Sequence, residues 1–316
     1  MGETMNENII ETKNLSKKYS NDTVVNSVNM HIEKGKIYAL LGKNGAGKTT
    51  TMCMLLNLIS PSSGEIFLFG KDPRKYSDEV YPKIGSIIET PGFYENLTAY
   101  ENLKVISKLR GNYNRSDIDL VLEILNLKKA KTKKVKDFSL GMKQRLGIAS
   151  AIMHSPELLI LDEPINGLDP FGIKEIRTLL KRLSHDFGIT ILISSHILSE
   201  IENIADTIGF MDEGILIEEV SKEELHKRLD KFVEFEVSDV DFACEILEKL
   251  ELNENHDYTF KKDEGIIRLY SNLEFRDKFN TLFVNSGLDV KKVNLCEENL
   301  ENYFLRRINN EKVISC

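Results

Sequence analysis

From residue 9 to about 220 the chain alternates short apolar runs, rich in β-branched residues, with stretches of helical spacing. Such alternation predicts an α/β fold, a mixed, mostly parallel sheet covered by helices. The strongest strand candidates are KIYALL (36–41), EIFLFG (65–70), IGSII (84–88), ELLILD (157–162) and ITILISS (189–195). From about Thr98 to Lys134 apolar residues fall at helical spacing with no strand between them, which predicts a helical insert, about 93–150 with its flanks. Beyond Gly214 the pattern changes again. FVEFEV, a helix near 241–250, strands around YTF and GIIRLY, a helix near 273–285, LDVKKV and a final helix near 297–307 predict a small two-layer α+β domain. The expected division is 1–220 and 221–316, with no Pro/Gly-rich linker at the join.

A length of 316 residues suits two such domains, and 41% hydrophobic with 29% charged residues is the composition of an ordinary folded protein. No apolar run approaches the roughly 18–20 residues that cross a bilayer. The start, MGETMNENII, lacks the basic region and apolar core of a leader, and Asn6 breaks the myristoylation pattern, so a cytoplasmic chain is expected. Cys53, Cys244, Cys296 and Cys316 are scattered, which disfavours zinc and disulfide frameworks. Of the net charge of −8, residues 221–316 contribute −6, from 15 basic and 21 acidic residues; that acidic end disfavours nucleic acid as a partner. The one dense basic run, from Lys128 to Lys136, reads as a solvated loop, with anionic lipid or a partner as the alternative.

The chemistry begins at GKNGAGKT, Gly42 to Thr49, which fits G-x-x-x-x-G-K-[ST] between a strand and a helical pattern. Gly42, Gly45 and Gly47 let backbone N–H groups converge on phosphate oxygens; Lys43, Asn44, Ala46 and Thr50 complete the loop and the helix start. Lys48 supplies a cation to the outer phosphates, and Thr49 offers a hydroxyl to Mg²⁺. The implied ligand is a nucleoside triphosphate, ATP in the family named below. ELLILDEP delivers Asp162 at a strand end, as a second magnesium anchor, with Glu163 next to it to orient and polarise water. His196 follows ITILISS in the same way and is read as a γ-phosphate contact. His31, His154, His185, His226 and His256 lack that placement and are read as structural or surface residues. Glu89, after IGSII, is a lone carboxylate before a Thr-Pro-Gly turn: either a ligand of Mg²⁺ or its water, or a solvent-facing acid.

The ordered series Tyr19, GKNGAGKT, Glu89, FSLGMKQR (138–145), LLILDEP (158–164), NGLD (166–169) and His196 resembles the nucleotide-binding subunit of ATP-binding cassette (ABC) transporters over roughly the first 220 residues. The resemblance implies an ATPase in which Tyr19 stacks on adenine, NGLD with Asp169 forms the D-loop, and two copies dimerise head to tail. Ser139 and Gly141 of one copy would then cap the γ-phosphate held by the other. Leu140 and Met142 depart from the commonest LSGGQ, which leaves Ser139 and Gly141 as the contacts. The pore would be a separate permease gripped by the helical insert, with the chain peripheral on the inner face of the cell membrane. Glu89 stands where most relatives carry Gln; with FSLGM and LDEPINGLDP it resembles the subunits that expel lantibiotics and bacitracin. Importers, exporters of other drugs, ions or wall polymers, and non-transport ATPases are the competing readings. The C-terminal domain reads equally as a regulatory dimerisation unit or a stabilising appendage.

Overall fold

The computed structural model describes residues 8–111, 113–229, 231–254, 257–297, 300, 303 and 304. Asn6, His256, Cys316 and most of the helix expected near 297–307 lie outside them. The chain divides into two compact units between Lys222 and Glu223.

In the first unit β1 (Asn8–Tyr19) pairs antiparallel with β2 (Asp22–Val28) and β3 (His31–Glu33). β4 (Ile37–Leu41) and α1 (Lys48–Leu55) follow, and β5 (Ser63–Leu68) then returns to pair with β1. EIFLFG therefore lies in an antiparallel sheet and not among the parallel strands. The reason is its burial pattern: Ile66 and Leu68 are buried while Glu65 is exposed, so one face meets the core and the other meets water. Phe69 and Gly70 belong to a turn, both at positive φ, closed by reciprocal bonds between Leu68 and Lys71.

After α2 (Ser77–Val80) and β6 (Ile84–Ile87) comes the helical insert of α3 (Ala99–Leu109), α4 (Arg115–Ile124) and α5 (Leu140–Ile152). Each start is capped. Thr98 and Glu101 exchange side-chain and backbone bonds at α3, Asn114 accepts from Ser116 at α4, and Ser139 accepts from Met142 at α5. β7 (Leu158–Leu161), α6 (Pro170–His185), β8 (Thr190–Ser195), α7 (Leu198–Ile201), β9 (Thr207–Asp212) and β10 (Ile215–Ser221) complete the unit. The main sheet runs β10-β9-β4-β8-β7-β6, parallel except for β10. β4, β7 and β8 are buried along their whole length, as central parallel strands covered on both faces must be.

α8 (Lys222–Arg228) precedes β11 (Lys231–Val237), α9 (Val240–Glu248), β12 (Tyr258–Lys261), β13 (Ile266–Leu269), α10 (Arg276–Asn285) and β14 (Val290–Glu297). The antiparallel order β12-β13-β11-β14 makes this second unit a β-α-β-β-α-β, ferredoxin-like fold. Val233, Phe235 and Val237 on alternate positions of β11 pack with Ala243, Leu247 and Phe283 from the helices. Phe235 and Phe283 meet edge to face, their centroids 5.2 Å apart. Among the described residues no helix is long and apolar enough to cross a membrane.

Candidate nucleotide site

The P-loop leaves the C-terminal end of β4 and turns into α1, whose first residue is Lys48. Two glycines there are sterically obligatory. A Cβ on Gly42 would lie 2.2 Å from the Met211 carbonyl oxygen, and one on Gly47, at φ +99°, 2.7 Å from that of Val24. Gly45, at φ +84°, faces open space on the exposed side of the loop with Lys43 and Asn44. Ala46 is buried and tied down, its N–H donating to Lys43 and its carbonyl accepting from Gly214, while Thr50 is half-buried. Lys48 is also buried. Its Nζ donates to the carbonyls of Gly42 at 2.6 Å and Lys43 at 3.2 Å, and lies 3.3 Å from Glu163 Oε1.

The strand ends gather the remaining charges at the same edge, as open parallel sheets do. Asp162 follows β7 and is buried; its Oδ2 accepts from the Thr49 hydroxyl at 2.8 Å. Glu163 sits at φ +47°, and its second oxygen lies 2.9 Å from Nδ1 of His196, just past β8. One carboxylate thus lies between two nitrogen groups, an arrangement that can hold a water for attack on a phosphate. Ser194, absent from the sequence reading, binds Asp162 and the Glu163 N–H; its only trace in the chain is a polar pair ending an apolar run. Thr49 and Asp162 suit Mg²⁺, which takes hard oxygens and binds through one or two protein ligands plus phosphates. No group of three or more His, Cys, Asp or Glu that could hold a metal occurs among the described residues, so the site is no protein-only cage.

Glu89 lies two residues past β6, exposed and at φ +60°. Its charge reaches the same edge: the Cys53 thiol of α1 is pushed up by burial first, then by Asp162 and by Glu89. Tyr19 closes the β1–β2 hairpin with half of its surface exposed, and Lys17 Nζ stands 4.8 Å from the ring centroid. Ser139, Gly141 and Asp169 form a separate group. Ser139 is exposed at the start of α5, Asp169 caps α6 through Gly172, and a Cβ on Gly141 would touch only Leu168, at 3.8 Å. No hydrogen bond or ion pair joins Ser139 or Gly141 to the P-loop among the described residues.

The family model described as "ABC transporter" matches residues 25–166. The bacitracin transport ATP-binding protein BcrA of Enterococcus faecalis is 55% identical over 302 residues, covering 96% of this chain and 97% of BcrA. The lantibiotic transport ATP-binding protein SrtF of Streptococcus pyogenes is 51% identical over 209 residues, 66% of this chain and 89% of SrtF. Among solved structures, the dimeric post-hydrolysis state of the ATP-binding cassette MJ0796 bound to ADP and Pi matches with a TM-score of 0.60 at 25% identity, over 67% of this chain and 98% of that one. The strand-edge cluster, the family match and 55% identity over nearly the whole length of a bacitracin transport ATP-binding protein agree: the chain belongs to the ATP-binding subunits of ABC transporters, a family of ATPases.

Proposed function

We propose that this chain is the Mg²⁺-ATP-hydrolysing motor of a membrane exporter that expels antimicrobial peptides of the bacitracin and lantibiotic type. The observation that carries the motor reading is the single cluster of Lys48, Thr49, Asp162, Glu163 and His196 at one sheet edge. Gly42 to Thr50 cradle the phosphates and Tyr19 stacks on the base. Thr49 and Asp162 would hold Mg²⁺, with Glu89 a further oxygen for the ion or its water; bound there, the ion would neutralise phosphate charge. Glu163 polarises the attacking water. His196, whose Nδ1 is committed to Glu163, presents its other ring nitrogen to the γ-phosphate. Ser139 and Gly141, remote from their own P-loop in hydrogen bonding, cap the phosphates of a second copy in a head-to-tail dimer, with Asp169 at that join.

The substrate class follows from the relatives, whose names tie them to bacitracin and lantibiotic transport. The peptide itself contacts a separate transmembrane permease, and the chain sits on the inner face of the membrane through that partner. Deleting the gene is expected to lower the minimum inhibitory concentration of bacitracin-like or nisin-like compounds. Unchanged sensitivity across such a panel contradicts peptide export. Glu89 is also proposed to couple nucleotide state to the permease: in the same strain Glu89→Ala is expected to lose more of its resistance than the purified chain loses of its ATP hydrolysis, and full resistance in that variant removes the coupling role.

A further inference from the structure

Parallel pairing sets Leu158 beside Thr190 and Leu161 beside Ile193. One step further, that register sets Asp162 beside Ser194, on the same face of the sheet. The Ser194 side chain is fully buried and makes two bonds there: Oγ donates to Asp162 Oδ1 at 2.5 Å and accepts the Glu163 N–H at 2.8 Å. A hydroxyl has one proton, and this one is given to Asp162. Asp162 is then held on both oxygens, Oδ1 by Ser194 and Oδ2 by Thr49. Glu163 adopts the left-handed backbone, φ +47°, which side-chain-bearing residues enter rarely, and its N–H is anchored by the same Ser194 oxygen.

We propose that Ser194 is a positioning residue for ATP hydrolysis, fixing Asp162 and Glu163 relative to each other through one hydroxyl. The proposal rests on the roles given above to those two carboxylates. Without the hydroxyl, Asp162 keeps only the Thr49 bond on Oδ2 and the part-buried Glu163 N–H loses its partner, so both groups lose part of the geometry that turnover needs. Nucleotide binding through the glycine loop and Lys48 does not depend on it.

The test compares Ser194→Thr, which keeps the hydroxyl, with Ser194→Val, its isostere without one, in the full-length chain. Phosphate release is measured against ATP and against Mg²⁺, with Glu163→Gln as a reference, and a fluorescent ATP analogue is titrated in EDTA and in Mg²⁺. Ser194→Val is expected to lose about 10- to 100-fold in kcat, the range for one hydrogen bond to a charged group. It should also need more Mg²⁺ for half-maximal turnover, while binding the analogue in EDTA like the wild type. Ser194→Thr should recover most of both losses. Wild-type kcat and Mg²⁺ requirement in Ser194→Val, or equal defects in Val and Thr, overturn the proposal. If Glu163→Gln itself turns over normally, it is the reading of the carboxylates that fails.

Discussion

Glu163→Gln is expected to lower ATP turnover by about 10²- to 10⁴-fold, the contribution of a positioned general base, while leaving ATP binding intact or tighter. The substitution conserves shape. The Ser194 bond uses the backbone N–H of residue 163 and survives, so the left-handed turn after β7 is retained. What disappears is the charge. That charge lies 3.3 Å from the Lys48 Nζ, so it would compete with phosphate for the same cation. An amide competes less, which is why affinity is retained or improved while hydrolysis is lost. Steady-state phosphate release and a nucleotide titration on one preparation check both halves.

The complementary variant, Lys48→Met, is expected to weaken ATP binding about 10- to 100-fold, since a hydrogen bond to a charged group contributes about 1.5–3 kcal/mol. Lys48 is buried, and its Nζ is held by two loop carbonyls and one carboxylate. Met has similar length and no charge, so the fold of α1 is preserved and the loss falls on the phosphates. A nucleotide titration together with an unchanged thermal midpoint separates lost binding from lost folding; wild-type affinity in Lys48→Met removes Lys48 from the phosphate site.

What was legible in the chain was whatever depends on local spacing. The P-loop is contiguous, and Asp162 and His196 each end an apolar run, so their common edge followed from parallel-sheet geometry. Ser194 was illegible because its role depends on a strand register joining residues 32 positions apart. Gly42 is obligatory because of Met211, on a strand far along the chain. β10 is hard to read as a strand because its short apolar run is interrupted by Glu218 and Glu219. The fold uses Glu219: it accepts from the Tyr38 hydroxyl and the His31 N–H, and burial together with that carboxylate pushes the Tyr38 phenol well up. EIFLFG is legible as a strand, but its place in the antiparallel sheet beside β1 is not, because that pairing joins residues more than 50 positions apart.

The proposed site is shared, with the charges on one chain and the cap on its partner. The most direct measurement is the size in solution of the Glu163→Gln chain in Mg²⁺-ATP, with and without a second change, Gly141→Asp. Since a Cβ at 141 meets only Leu168, at ordinary contact distance, and an acidic residue suits the first turn of α5, the second change is compatible with the fold. Its carboxylate would face the partner's phosphates. ATP-dependent dimers that disappear with Gly141→Asp, while the single chain still binds ATP with the same affinity, are the result expected. A chain that stays monomeric at saturating ATP without the second change, or dimers indifferent to Gly141→Asp, would contradict the shared site.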